Sequence, residues 1–209
     1  VTAPVTICNK LKEFGYKGRF VTFGSVFEMG ETHEERFFTE EDVLTSTCPA
    51  PNDYTVSKRM LSSFVSSYKH DFIHWHFYIP TIYGAGENPK RLIPYVINAI
   101  RNGEELHFTA GDQTRQYVHV SEVPRMLALA FDKNLPSGLY NIQGKETVTV
   151  KEIVTEIHHA MGKEVPDGCF GSVQRADVGM KYLALNGKKL HDATGFEASI
   201  KITDVIDTY

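Results

Sequence analysis

The stretch RFVTFGS, residues 19–25, is a short apolar run closed by a Gly-Ser pair. Four to eight residues rich in β-branched and aromatic side chains, bounded by turn formers, read as a buried strand. A second such run stands at 72–79, FIHWHFYI. Between them the segment from about Asp53 to Lys69 has helical periodicity, with Met60, Leu61, Phe64, Val65 and Tyr68 on one face. Upstream, Val5, Cys8, Leu11 and Phe14 form a helical stripe that Gly15 stops. Residues 31–53 are polar and interrupted by proline, with Thr39 and Asp42 spaced as a capping box.

The alternation continues downstream. Residues 80–89, PTIYGAGENP, read as a turn-rich loop, and Leu92, Ile93, Val96, Ile97 and Ile100 as a helix ended by Gly103. Residues 115–120, RQYVHV, read as a strand, after which Ser121 is expected to cap a helix carrying Met126, Leu127, Ala130 and Phe131. GLYNI at 138–142 is a further strand. Thr149 and Glu152 form a capping box for a helix that buries Val150, Ile153, Val154 and Ile157 and stops at Gly162. A short helix is expected at 187–194. Strands alternating with helices indicate an α/β fold with a mainly parallel sheet.

In such sheets ligands gather outside the carboxyl ends of the strands. Ser25 ends one strand, Pro80 and Thr81 follow another, and Tyr54 opens the helix between them, so the three converge on one edge. Tyr54 and Lys58 are four residues apart and share a helix face. A phenol with a pKa of ~10 is almost wholly protonated at neutral pH, and a fixed positive charge beside it favours the phenolate. Tyr54 is therefore a candidate proton donor and acceptor for an alcohol/ketone pair, with Ser25 hydrogen-bonding the same oxygen. Ten tyrosines and fourteen lysines in 209 residues give about 0.7 such spacings by chance, so the pair needs its context.

Bulk properties bound the answer. A chain of 209 residues with 42% hydrophobic and 23% charged residues forms one domain, or one domain and a small lobe. A net charge of −4 argues against a nucleic-acid or membrane-surface protein, while leaving room for an anionic ligand in a local basic pocket. Cys8, Cys48 and Cys169 lack metal-ligand spacing and read as reduced thiols of a cytoplasmic protein. No apolar run approaches the ~18 residues of a membrane span.

On these residues the chain resembles the extended short-chain dehydrogenase/reductase class, the NAD-dependent nucleotide-sugar epimerases, dehydratases and reductases. RFVTFGSVFEMG (19–30) resembles the strand that delivers the catalytic Ser or Thr, here Ser25. Tyr54 and Lys58 match the catalytic Tyr-x-x-x-Lys. PTIYGAGENP (80–89) resembles the loop that lines the nicotinamide, and GDQTRQYVHVSEV (111–123) the segment whose arginine reaches the diphosphate. GLYNIQG and TVTVKEIV resemble the final strand and helix. The resemblance implies a Rossmann-like doubly wound sheet with a small substrate lobe, and NAD or NADP held by Ser25, Tyr54, Lys58, Pro80 and Ile82. A nucleotide-diphosphate sugar would be bound by Arg115, Arg175, Asn88 and Thr81, and a homodimer is expected. Residues 1–84 and 112–144 would form the dinucleotide-binding part, and residues 85–111 and 145–209 the sugar lobe.

The departures sharpen this. No glycine-rich turn between a strand and a helix is present to carry a pyrophosphate. The resemblance starts at the helix before the family's fifth strand, as expected for a piece of a longer protein. A piece that binds no dinucleotide and acts as a scaffold is the alternative reading. The Asp-Glu pair that sugar 4,6-dehydratases place after the catalytic threonine is replaced by Val26 and Phe27, which cannot move a proton. That favours a 4-epimerase or 4-keto reductase over a dehydratase. Tyr78 and Thr81 replace an Arg and an Asn common in the family. Outside the main site, His74 and His76 share a strand face and suit packing or hydrogen bonding better than a metal. Cys48 is an additional acid/base candidate against a plainer loop role, His119 reads as structural, and His158-His159 as a surface pair.

Overall fold

A computed structural model of the chain describes residues 1–173 and 180–209. Helix α1 (Thr2–Glu13) leads into strand β1 (Arg19–Ser25), which runs directly into a turn of 3-10 helix at Val26–Met29. After β2 (Phe37–Phe38) and α2 (Glu40–Leu44) come α3 (Asp53–Ser67), β3 (Ile73–Ile79) and β4 (Thr81–Tyr83). The second half holds α4 (Leu92–Asn102), β5 (Thr114–His119), α5 (Glu122–Asp132), β6 (Gly138–Asn141) and β7 (Glu146–Thr149). It closes with α6 (Val150–Ala160), β8 (Tyr182–Leu185), α7 (Lys188–Thr194) and a 3-10 segment at Ile202–Thr208. Among the described residues no helix is long and apolar enough to cross a membrane.

The expected α/β architecture is present as a parallel sheet in the order β1-β3-β6. Ser25 stands opposite Ile79 and Tyr78 opposite Asn141, so the carboxyl ends of β1, β3 and β6 lie together. Strand alternation sends Trp75 and Phe77 to one face, where they pack with Met126 and Ala130 of α5 and with Tyr140. Truncating a buried ring of this size costs about 3–5 kcal/mol. His74, His76 and Tyr78 point to the opposite face. A second sheet, β2-β8-β5-β4, is parallel, with β7 antiparallel to β5. α4, α6 and the last 3-10 segment cover it through Ile93, Val96, Ile97, Ile153, Val154, Ile157 and Ile202.

Strand β5 joins the two sheets. β5 lies within 112–144, yet its backbone pairs with β4 and β8 in the second sheet, while its Val118 side chain packs into the core of the first. Other local expectations are met or corrected. Both capping boxes form, with Thr39 Oγ1 accepting from the Asp42 amide and Thr149 Oγ1 from the Glu152 amide. The stretch expected as a loop from residue 80 contains strand β4, because Thr81–Tyr83 pairs with Tyr117–His119. Ser121 opens α5 without a side-chain cap, its hydroxyl lying 2.7 Å from His119 Nδ1 instead.

α3 is also turned from the expected face. Met60 is exposed, whereas Thr55 and Ser62 are buried with Leu61 and Val65. The reason is the polar face of the sheet beneath it, where Thr22, His74 and His76 need hydrogen-bond partners rather than methyl groups. His158 is buried, its ring nitrogen 2.8 Å from the Val154 carbonyl, and only His159 lies on the surface.

Candidate active site

At the carboxyl ends of β1 and β3 lies a cleft of about 1100 Å³. Ser25, Tyr54, Lys58, Pro80, Thr81, Ile82 and Arg115 all line it. Seven of the nine residues singled out from the sequence are therefore brought to one cavity. Asn88 is not among the lining residues, since its side chain turns back to accept from the Lys90 amide at 2.9 Å. Arg175 lies outside the described residues. A smaller cavity of about 530 Å³, by α7 and the loop after β6, contains none of the candidates.

The seat of Ser25 follows from the chain's sharp exit from β1. Ser25 is still extended, at φ −149° and ψ 146°, and its Oγ accepts from the Phe27 amide at 3.2 Å. Accepting in the cap leaves the hydroxyl proton for an oxygen in the cleft. Glu28 completes the capping box by accepting the Ser25 amide proton at 2.8 Å. Gly30 ends the turn at φ 72°, and a Cβ there would meet Arg59 Nη2 and the Pro49 carbonyl, both at 2.5 Å.

Arg59 ties this turn to α3. It donates to the carbonyls of Glu28 (2.7 Å), Cys48 (2.8 Å) and Met29 (3.0 Å). Cys48 is not among the residues lining the cleft, and its carbonyl anchors Arg59. Asn52 caps α3 by accepting from the Thr55 amide at 3.0 Å, which places Tyr54 in the first turn at the rim. Tyr54 is 51% exposed, open to a ligand in the cleft. One turn on, Lys58 donates to the Phe23 carbonyl at 2.7 Å and stands 5.6 Å from the Tyr54 ring centroid. Lys58 thus bridges strand and helix while keeping its charge by the phenol.

The cleft also contains residues that the sequence reading passed over. Lys90 and Arg91 line it, along with Gln113, Tyr95, Phe108 and His107. Arg91 donates to the Ile82 carbonyl at 2.9 Å and pairs with Glu87 at 3.2 Å. Lys90 and Arg91 fall between the loop ending at 89 and the helix beginning at 92, so neither pattern absorbed them. A Lys-Arg pair immediately before an amphipathic helix was the available signal. Arg115 donates to the Thr114 carbonyl at 2.8 Å. Among the described lining residues, Lys58, Lys90, Arg91 and Arg115 face one carboxylate, Glu87. In a chain of net charge −4 that local excess suits an anion.

The profile described as the NAD dependent epimerase/dehydratase family matches residues 1–142. The chain belongs to this family. The low-salt glycan biosynthesis protein Agl12 of Haloferax volcanii is 27% identical over 154 residues, covering 69% of this chain and 46% of that protein. The CDP-abequose synthase of Salmonella typhimurium is 23% identical over 147 residues, covering 66% and 48%. The chain spans about half the length of these curated relatives. Its fold matches that of a Bacillus anthracis dTDP-glucose 4,6-dehydratase solved in complex with NAD, at a TM-score of 0.81 and 19% identity, over 98% of this chain and 65% of the other. Within the epimerase/dehydratase family the cleft side chains, rather than the fold, have to distinguish one chemistry from another.

Proposed function

We propose that the cleft supports hydride-transfer chemistry at C4 of a nucleotide-activated hexose, as a 4-epimerase or a 4-keto-sugar reductase. The observation that carries this reading is the meeting of Ser25, Tyr54 and Lys58 in one cationic cleft at the carboxyl ends of β1 and β3. NAD or NADP, when bound, accepts or supplies the hydride. The residues present suit its nicotinamide ribose end: Lys58 would offer an ammonium to ribose hydroxyls, and Pro80 and Ile82, which line the same cleft, would hold the ring.

The chain's own groups handle the proton. For oxidation of the sugar, the Tyr54 phenolate takes the C4 hydroxyl proton as the C4–H bond breaks with its electron pair. For reduction, the Tyr54 phenol gives that proton back to the C4 oxygen. Ser25 donates a hydrogen bond to the same oxygen, and Lys58 keeps a positive charge near the Tyr54 ring. Arg115, with Arg91 and Lys90, takes the diphosphate, for which a guanidinium offers paired donors.

Elimination chemistry is disfavoured by the turn after Ser25. Val26 is buried and Phe27 faces the cleft, and neither can move a proton. The carboxylate in that turn, Glu28, is fully buried beneath β1 and bonded to Ser25 and Ser62. The sugar lobe is assigned to 85–111 and 145–209, and residues 1–84 and 112–144 to the cofactor side. Replacing Tyr54 with Phe in the intact protein tests the proposal: turnover of the nucleotide sugar should fall by about 10²-fold or more while its affinity stays nearly unchanged. Turnover of Tyr54→Phe at the wild-type rate overturns it.

A further inference from the structure

Beneath Ser25 a line of buried polar side chains crosses the protein from the cleft floor to α1. Glu28 Oε1 accepts the Ser25 amide proton at 2.8 Å, and Glu28 Oε2 lies 2.5 Å from Ser62 Oγ. Ser62 Oγ is 3.0 Å from His76 Nε2, and His76 Nδ1 is 2.8 Å from Thr22 Oγ1. Thr22 Oγ1 is 2.9 Å from His74 Nε2, and His74 Nδ1 is 3.9 Å from Cys8 Sγ. The six residues from Glu28 to Cys8 are each no more than 5% exposed. None of them is needed for a bare strand-on-helix contact, which apolar groups would make at lower cost.

The chemistry of the members allows a single arrangement once Glu28 is ionised. Each hydroxyl or thiol has one proton to give, and each neutral imidazole has one N–H and one acceptor nitrogen. Burial holds the His74 pKa down to about 4 and that of His76 to about 3, so both rings are neutral near pH 7. Burial pushes the Cys8 thiol up to about 11, so it keeps its proton. An ionised Glu28, which can only accept, then fixes the direction of all five hydrogen bonds. If Glu28 is ionised, Ser62 donates to it, His76 Nε2–H donates to Ser62, and Thr22 donates to His76 Nδ1. His74 Nε2–H then donates to Thr22, and Cys8 donates to His74 Nδ1. A donor at Glu28 frees the Ser62 proton for His76 Nε2 and opens the reverse direction.

We propose that these side chains form one directional hydrogen-bond chain in which Glu28 is a positioning residue for Ser25, accepting at both oxygens and fixing His74 and His76 as Nε2–H tautomers. Burial opposes the ionised carboxylate and raises its pKa. The Ser62 and Ser25 donors act against that shift, as do the Lys58 and Arg59 charges nearby. Gly24 belongs to the same device, since a Cβ there would stand 2.6 Å from Glu28 Oε1, from His76 Nε2 and from Tyr78 Cδ1. The importance of the chain for reactivity rests on the reading of Ser25 given above, whereas its direction does not.

Nitrogen-15 NMR of histidine-labelled protein at pH 7 separates the two directions, with His74 and His76 signals assigned by replacing each ring in turn. The wild type should show both as neutral Nε2–H tautomers. In Glu28→Gln the amide carbonyl must still accept from the Ser25 amide, so its NH2 group faces Ser62 and donates. His76, which then faces the Ser62 proton, should switch to Nδ1–H. In Glu28→Gln combined with Ser62→Ala the link is cut, and His76 should no longer follow residue 28. An Nδ1–H tautomer or a cationic ring at either position in the wild type overturns the proposal, even where the variants fail to fold. So does an unchanged His76 tautomer in folded Glu28→Gln. Wild-type turnover by a Ser25→Ala variant would count against the reaction reading alone and leave these tautomers unaltered.

Discussion

Lys58 stands with its ammonium 5.6 Å from the centre of the Tyr54 ring while donating a 2.7 Å hydrogen bond to the Phe23 carbonyl. One ammonium thereby holds α3 to β1 and stands beside the phenol. Lys58→Met should lower kcat by about 10²-fold or more. The lost hydrogen bond should cost about 1 kcal/mol of stability. Steady-state kinetics beside urea unfolding separates the two effects, and a stability loss with kcat intact would leave Lys58 a structural tie.

Arg91 and Arg115 should behave as binding rather than reacting groups. Loss of one hydrogen bond to a charged group costs about 1.5–3 kcal/mol, or roughly 10- to 150-fold in affinity. Either residue changed to Ala should weaken nucleotide-sugar binding by about that range with kcat nearly constant. Titration calorimetry with a nucleoside diphosphate reads this directly. Affinity for the diphosphate should also fall as salt rises.

The buried histidines predict an acid-sensitive fold. His74 and His76 have folded pKa values of about 4 and about 3, both below the ~6.5 of an unfolded histidine. Between these limits the unfolded chain binds protons that the folded one refuses, so stability is full above pH 6.5 and is lost as pH falls. Each ring contributes a slope of at most about 1.4 kcal/mol per pH unit. The raised Glu28 carboxyl works the other way over its own range, because the folded protein holds that proton more tightly. Unfolding free energies from pH 7 to pH 5 should therefore decline, and His76→Gln should flatten the decline by about half of the histidine share. An unchanged slope would contradict the burial of these rings.

Gly24 tests the packing behind the active-site strand. The Cβ of Gly24→Ala would meet three atoms at 2.6 Å, including a ring carbon of Tyr78. Overpacking of this kind costs about 1–3 kcal/mol. A lowered urea midpoint with an unchanged m value is expected.

The sequence made the alternation of strands and helices legible because apolar periodicity is a local property, as in Ile93, Val96 and Ile97 of α4. Ser25, Tyr54 and Lys58 were legible because strand ends and helix starts of an α/β unit meet at one edge. What stayed hidden depends on tertiary partners. Thr81–Tyr83 becomes a strand only through Tyr117–His119, and Thr55 and Ser62 go inward only because the sheet face beneath α3 is polar. Glu28 gave no sign of its role, since a glutamate in a turn is ordinarily solvated. Its burial follows from contacts with Ser62, 34 residues away.

If Tyr54, Ser25 and Lys58 serve hydride transfer at a sugar carbon, as proposed, a labelled hydride reports it. The direct test supplies NADH or NADPH deuterated at the transferring position together with a 4-keto nucleotide hexose, and locates the label by NMR and mass spectrometry. Deuterium should appear at C4 of the sugar with the wild type and be reduced by about 10²-fold or more in rate with Tyr54→Phe. No label at C4, or equal transfer by both proteins, would contradict the claim.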